Sequence, residues 1–272
     1  MFPHQAALPV GQPAPCYRRF ATVLFCAFFS FGSISVTDAT DEKSLCRDAT
    51  PDASALANRG NSYNSKGDYD CAIADYSEAI RLNPKFAEAF NNRGYSYDHK
   101  GDYDHAIADY TEAIRLNSKY AEAFNNRGAS YDSKGDYDRA IADYSEAIRL
   151  NPKFAIAFNN RGYSYVNKGD YDRAIADYSE AIRLNPKDPD VFNNRGYSYV
   201  NKGDYDHAIT DYSEAIRLNP QFAKAFEHRG AAYLKKGDRD HSIADLTESL
   251  KLDSTDQEAR DLLNQANGLP KP

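Results

Sequence analysis

The sequence lacks the short motifs that identify several classes of enzyme. Its 272 residues contain no GxxxxGK[ST], HExxH or CxxC segment and no glycine-rich dinucleotide turn, so nucleotide, zinc-protease and thiol-redox sites are not indicated. Positive charge is also scarce, since 33 Lys and Arg stand against 40 Asp and Glu for a formal net charge of −7. The two signs alternate along the chain, which leaves no basic stripe for nucleic-acid phosphates. We therefore expect no catalytic residue, cofactor or nucleic-acid partner.

Long apolar runs are also missing except near the N-terminus. Arg18 and Arg19 precede an apolar run over residues 20–31, and small residues including Ser35 and Ala39 follow it. This order is typical of a secretory signal peptide, and the run is shorter than the roughly 20 residues that a spanning helix needs. We predict that residues 1–39 are a signal peptide and that the protein is periplasmic or secreted. The alternative is an uncleaved inner-membrane anchor over residues 20–36.

Cysteine is rare, with four in the chain, and export would remove two of them with the signal peptide. The two that remain are Cys46, in a lead-in segment over residues 40–52, and Cys71 in the body of the chain. Because an exposed thiol does not persist in an oxidising compartment, we predict a Cys46–Cys71 disulfide. The alternative is two unpaired thiols.

What the chain has in abundance is a 34-residue period that occurs six times. One copy reads AEAFNNRGYSYDHKGDYDHAIADYTEAIRLNSKY, from Ala87 to Tyr120. Such a period predicts units that stack in line, each burying its apolar face against its neighbours. The repeats cover residues 53–86, 87–120, 121–154, 155–188, 189–222 and 223–256.

Two stretches of each repeat have the i, i+4, i+7 spacing of one helical face, which predicts two helices. In the second repeat these residues are Phe90, Gly94 and Tyr97, then Ala106, Tyr110 and Ala113. Gly101 suits the left-handed residue that ends the first helix, and Asp102 suits the N-cap of the second. We number the places in a repeat from 1 to 34, starting at Ala53 in the first repeat and at Ala87 in the second.

On these residues the chain resembles the tetratricopeptide repeat family over about three quarters of its length. The resemblance implies an all-α, right-handed α-solenoid of six helix-turn-helix repeats. It also implies a concave groove, lined by the first helix of each repeat, that holds a protein or peptide. Residues 257–268 form one more amphipathic segment, with Ala259, Leu262, Leu263 and Ala266 on one side. We predict a capping helix there, because the last repeat would otherwise expose its apolar face, followed by a tail over residues 269–272.

Charged residues also recur with the period. Arg at place 7 accompanies Asp at place 23, as in Arg127 and Asp143, and we interpret them as structural ion pairs because Arg can lay its methylenes on aromatic rings while its head bonds a carboxylate. The histidines at place 19, namely His105, His207 and His241, belong to different repeats. We interpret them as surface residues and expect no metal site.

The groove is the one candidate site. Place 6 carries an amide row that could bond the backbone of an extended peptide, because an amide both donates and accepts; gene duplication alone would explain the row equally well. Places 9 and 12 become aromatic or aliphatic in the later repeats, which suits a peptide hot spot. The candidate residues are Asn92, Asn126, Asn160, Asn194 and His228 at place 6, with Tyr163, Val166, Tyr197, Val200 and Leu234 at places 9 and 12. The function that follows is a non-catalytic interaction scaffold in the cell envelope, with a structural or self-associating array as the alternative.

Overall fold

The computed structural model describes residues 51–268, and this part of the chain is built from helices, with no strand in it. The predicted signal peptide, the lead-in segment up to residue 50 and the tail lie outside the described residues, so those predictions stay predictions. The helices are α1 (Ala53–Asn64), α2 (Tyr69–Leu82), α3 (Ala87–His99), α4 (Tyr103–Leu116), α5 (Ala121–Ser133), α6 (Tyr137–Leu150), α7 (Ala155–Asn167), α8 (Tyr171–Leu184), α9 (Pro189–Asn201), α10 (Tyr205–Leu218), α11 (Ala223–Lys236), α12 (Arg239–Leu252) and α13 (Gln257–Ala266).

The chain forms two compact units, Met1–Lys85 and Phe86–Pro272. In the first, α1 packs against α2. In the second unit, from α3 to α12, the odd-numbered helices are the first helices of their repeats and the even-numbered helices are the second. Each helix packs against the next one along the chain. Successive first helices also contact each other, as α3 does α5 and α7 does α9. The predicted all-α repeat array is confirmed.

Each repeat turns at one glycine and restarts at one aspartate. Gly101 has a φ of 77°, a left-handed conformation that costs a residue with a Cβ far more than it costs glycine. The side chain of Asp102 then accepts a hydrogen bond from the His105 backbone N–H, which satisfies one of the donors left open at the start of α4. Both predictions from the sequence are confirmed.

Inside a repeat, the first and second helices meet where a glycine faces a buried ring. A Cβ placed on Gly162 would lie 2.8 Å from Cε1 of Tyr178, so only glycine admits the ring at this distance. Tyr178 is 1% exposed and packs with Ala174 and Ala181. Full burial of a ring this large stabilises the fold by roughly 2 kcal/mol, which makes this pair the local centre of packing.

The predicted Arg–Asp pairs also join neighbouring repeats. Nε and Nη2 of Arg161 donate to the two carboxylate oxygens of Asp177 at 2.7 and 2.8 Å. Its remaining Nη1 donates to Ser145 Oγ of the preceding repeat at 2.9 Å. We call this arrangement the arginine clamp, and it recurs at Arg127, Arg195 and Arg229. The guanidinium therefore satisfies a buried carboxylate and spans the boundary between repeats.

The C-terminal helix α13 caps the last repeat, as predicted. Ala259 and Ala266 are buried with Leu246, and Leu262 and Leu263 pack against the same cluster. Asp256 begins the helix by accepting from the Ala259 N–H at 3.1 Å. Within residues 51–268, no helix combines the length and the apolarity needed to cross a bilayer.

Candidate peptide-binding face

The first helices from α3 to α11 expose one face, formed by places 2, 6, 9 and 13; we call it the first-helix face. Its opposite side is buried, since places 3, 8 and 10 pack inward, as Ala157, Gly162 and Ser164 do in α7. Ile156 and Tyr163 are large apolar residues on the exposed side, and they are 59% and 48% exposed. Contiguous exposed apolar groups often mark a site where a partner binds, whereas single exposed apolar residues are common on protein surfaces.

The place-6 asparagines lie on this face and are bonded to one another through their neighbours at place 5. Each place-5 amide donates to the place-6 oxygen beside it, and each place-6 amide donates to the place-5 oxygen of the preceding repeat. Six bonds of 3.0 to 3.5 Å run in a single donor direction. We call this chain the asparagine relay, and in donor order it is Asn194, Asn159, Asn160, Asn125, Asn126, Asn91 and Asn92.

The relay uses part of the hydrogen-bonding capacity that the place-6 amides would offer to a peptide ligand. A side-chain amide has two N–H donors and two lone pairs on its oxygen. The relay takes one of each from Asn126 and from Asn160. The amide row therefore has a structural role, and each of these two side chains keeps one further donor and one further acceptor position. Peptide-backbone binding by the row stays a prediction.

The amide row ends at α11, where Glu227 and His228 replace the two asparagines. His228 Nδ1 donates to Asn193 Oδ1 at 2.8 Å, and its ring lies between those of Tyr197 and Tyr212. Burial lowers the pKa of His228 to about 4. His228 is therefore neutral at pH 7 and packs as an aromatic ring.

Among the residues that the structure describes, Glu227 is the acidic side chain most completely removed from water, with 1% exposure. Lys224 Nζ lies 2.6 Å from its Oε2 and 3.7 Å from Asp256 of the α13 N-cap. Burial, and then a hydrogen bond with Asp256, raise the pKa of Glu227 to about 8 against the opposing charge of Lys224. A protonated Glu227 can donate to the Asp256 carboxylate at the start of α13.

The predicted apolar anchors fall into two groups. Tyr163 is exposed, whereas Tyr197 at the same place of the next repeat is half-buried, with its ring 6.2 Å from that of His228. Val166 and Val200 are half-buried and pack against the core clusters of their own repeats. Leu234 packs into the cluster closed by α13. Val166, Val200 and Leu234 thus each give part of their surface to packing, and contact of any of these residues with a ligand stays a prediction.

Two half-buried carboxylates occupy place 12 on α3 and α5, and the sequence-based site did not include them. Asp132 accepts from Ser164 Oγ at 2.7 Å and from Tyr144 Oη at 2.8 Å, and Asp98 accepts from Ser130 Oγ at 2.5 Å. Burial raises the pKa of both carboxyls, that of Asp132 to about 6. Their sequence signature is the change from Asp to Val at place 12 after the third repeat.

The place-19 side chains lie on the protein surface. They pack over a tyrosine ring that recurs in each of their repeats, and they do not surround a common centre. His105 stacks on Tyr97 with ring centroids 5.1 Å apart and bonds Asp102 through Nδ1. In the following repeat Arg139 sits 4.5 Å above the Tyr131 ring. Residues 51–268 contain no cluster of three or more His, Cys, Asp or Glu side chains able to hold a metal ion.

Cys71 at place 19 of the first repeat is disulfide-bonded. Cys46 lies outside the described residues, so its pairing with Cys71 stays a prediction.

Comparison with family models gives matches over most of the chain. A model described as TPR repeat matches residues 60–98, 162–203 and 196–237. Three models described as tetratricopeptide repeat match residues 87–120 and 121–154, residues 144–176, and residues 223–256. Together these matches run from residue 60 to residue 256 without a gap. No curated protein sequence matches the chain.

Solved structures share the fold. The APC/C hetero-tetramer Cut9–Hcn1 is 24% identical with a TM-score of 0.69, over 82% of this chain and 44% of that chain, so this protein spans less than half of that relative. YrrB, described as having an unusual peptide-binding site, is 23% identical with a TM-score of 0.60, over 71% of this chain and 98% of its own. The pilF protein of Pseudomonas aeruginosa is 20% identical with a TM-score of 0.70, over 78% and 97%.

Proposed function

The chain belongs to the tetratricopeptide repeat family, and from that premise we propose that it is a non-catalytic scaffold that binds an extended segment of a partner protein. Proteins of this family generally act as interaction scaffolds. The proposed binding surface is the first-helix face of α7 and α9, where Ile156, Tyr163 and Tyr197 lie beside the amides of Asn160 and Asn194.

The observation that carries the proposal is the exposure of Ile156 and Tyr163 beside amides with unused bonding capacity. An aromatic ring supplies a large contact area at small cost in conformational entropy, and residues of this kind dominate binding energies. The neighbouring amides can bond a peptide backbone whatever its side chains are. The face thus combines an anchor with sequence-independent positioning.

The test is a selection of displayed 12-residue random peptides on the full chain, followed by titration calorimetry with the enriched peptides. We expect Tyr163→Ala and Tyr197→Ala each to weaken binding by about tenfold or more, as removal of a hot-spot ring does. Tyr171→Ala is the matched control, because Tyr171 begins the second helix α8 and lies off the first-helix face. Equal affinity of the wild type and both face variants for every enriched peptide would refute the site.

Light scattering on the same proteins separates peptide binding from the structural alternative. A self-associating array would give a mass by light scattering that grows with protein concentration and falls in the Tyr163→Ala variant. A mass that stays monomeric over the same range, together with Tyr163-dependent peptide binding, supports the scaffold.

We propose the cell envelope as the location on the strength of residues 18–39, where two arginines, an apolar run and small residues follow one another. Fractionation of the source cells with mass measurement of the purified protein tests this. Loss of 35 or 39 residues agrees with the cleavage after Ser35 or Ala39 that the sequence predicts. An intact chain in the membrane fraction supports the anchor, and an intact chain in the cytoplasm contradicts export.

A further inference from the structure

The first-helix face changes in chemical character along the second unit. Toward α7 it presents the exposed apolar groups Ile156 and Tyr163, and on α3 it presents Tyr95, which is 41% exposed. On α3 and α5 the exposed place-2 side chains are Glu88 and Glu122, and the half-buried place-12 side chains beside the face are Asp98 and Asp132. An apolar patch with one sign of charge beside it restricts the partners that fit, because a like charge brought against it is repelled.

The acidic side chains of α3 and α5 have no cation to balance them. Glu88 and Glu122 are exposed at place 2, and Asp98 and Asp132 are half-buried at place 12. Among the described residues, no Lys or Arg forms an ion pair with any of the four. The nearby basic side chains already form ion pairs with other carboxylates. Arg93 pairs with Asp109 and Arg127 with Asp143, and Lys134 pairs with Asp104 in the first turn of α4.

We propose that the partner segment carries Lys or Arg side chains where it crosses α3 and α5 and a large apolar side chain where it reaches α7. The inference rests on the proposed function and specifies the chemistry of its ligand, a peptide segment of another protein. The basic side chains pair with Asp98 and Asp132, and the apolar one packs on Ile156 and Tyr163.

The repeat geometry sets the spacing in such a segment. Axes of packed neighbouring helices lie roughly 8 to 10 Å apart, and an extended chain advances about 3.3 Å per residue. One step along the first helices therefore corresponds to about three ligand residues. The recognised pattern is a basic residue, a second basic residue three positions away, and a large apolar residue about three positions further in the same direction.

The two place-12 carboxylates suit a charged ligand better than the exposed glutamates do. Asp132 is held by the neutral donors Ser164 Oγ and Tyr144 Oη, and Asp98 by Ser130 Oγ with His99 nearby. A cation that reaches a half-buried carboxylate forms a charge-assisted bond that solvent screens less than a surface pair. Because burial raises the pKa of Asp132 to about 6, we expect binding to weaken as the pH falls from 7.5 toward 5.

The test compares two charge-removing double variants on peptides enriched from the random library. We expect the wild-type protein to enrich peptides with basic residues at the three-residue spacing, and Asp98→Asn/Asp132→Asn to bind them at least tenfold more weakly. The control is Glu112→Gln/Glu146→Gln, which removes the same charge from the second helices of the same repeats. A peptide with norleucine at both basic positions should bind the wild type and the Asn variant equally.

The outcomes separate this inference from the proposed function. Enriched peptides that are neutral or acidic and still need Tyr163 would overturn the charge inference alone. An equal loss of affinity in both double variants would overturn it too, because the effect would then come from overall charge. If no enriched peptide depends on Tyr163, the binding site itself fails.

Discussion

The raised pKa of Glu227 should make the docking of the C-terminal cap depend on pH, and Glu227→Gln should remove that dependence. Glutamine keeps the size and hydrogen-bonding capacity of a protonated glutamate but cannot ionise. The variant leaves Lys224, Asp256, Glu258 and His228, the groups that surround the position, unchanged. Any difference between variant and wild type between pH 6 and 9 is therefore assigned to the charge on Glu227.

The size of the effect follows from the two pKa values. The pKa of Glu227 is 4.5 in its ordinary state and about 8 in the folded protein, because burial and the bond to Asp256 favour the protonated form. Because the folded-state pKa is above the unfolded value, Glu227 contributes to the free energy of unfolding, and this contribution is complete below pH 4.5 and is lost as the pH rises through 8. Between pH 6 and 9 the loss is roughly 2 to 3 kcal/mol, at about 1.4 kcal/mol per pH unit.

Hydrogen exchange of the α13 amides measures this contribution locally. After correction for intrinsic exchange rates, we expect protection of α13 in the wild type to fall by about 30- to 150-fold between pH 6 and 9, following the free energy above. In Glu227→Gln the change should stay within about threefold. Glu258→Gln, which removes an exposed carboxylate 3.5 Å from the same Lys224 Nζ, should behave like the wild type.

If protection of α13 in the wild type does not depend on pH, the raised pKa of Glu227 and its hydrogen bond to Asp256 are refuted. The same conclusion would follow if Glu227→Gln retained the full dependence. His228 does not disturb the comparison, because its pKa of about 4 keeps it neutral throughout the range in both proteins.

Three further predictions follow from packing, pairing and cross-linking. Gly162→Ala should lower the thermal midpoint, because the new Cβ would meet the Tyr178 ring at 2.8 Å and overpacking of this kind costs about 1 to 3 kcal/mol; an unchanged midpoint would show that the ring can move aside. Arg127→Leu should destabilise the fold by roughly 3 kcal/mol in urea titration, since it leaves the buried Asp143 carboxylate without its partner; a higher melting point with weaker ligand binding would instead assign the arginine to the site. Thiol titration of the unfolded, unreduced mature chain should find no free thiol if Cys46 and Cys71 are bridged, a bond worth about 3 kcal/mol, whereas two thiols per chain would exclude it.

Most of the fold could be predicted from the sequence because its determinants are local. The left-handed Gly101, the cap at Asp102 and the two helices of a repeat all depend on residues a few positions apart. The Arg–Asp pair is only 16 residues apart, and its recurrence at a constant offset in every copy reveals it.

The asparagine relay and the proton at the cap were not predictable in the same way. The relay depends on which places face each other across two repeats, 35 residues apart, and the Asn-Asn doublet in each first helix does not by itself distinguish ligand contacts from internal bonds. The proton on Glu227 depends on burial by α13, which no pattern in α11 indicates. Leu234, which the sequence predicts to lie in the groove, packs partly against the cluster that α13 closes, and its contact with a ligand stays a prediction.

The arginine clamp has a consequence for how this protein can change over evolutionary time. Its bonds reach only 16 residues forward or back, and the other contacts between repeats span 30, 32 or 35 residues. Recombination that removes or adds one interior copy would therefore rejoin equivalent partners and keep these junction contacts. The number of copies is then free to vary without redesign of any junction, and under the proposed function the length of bound partner chain would vary with it.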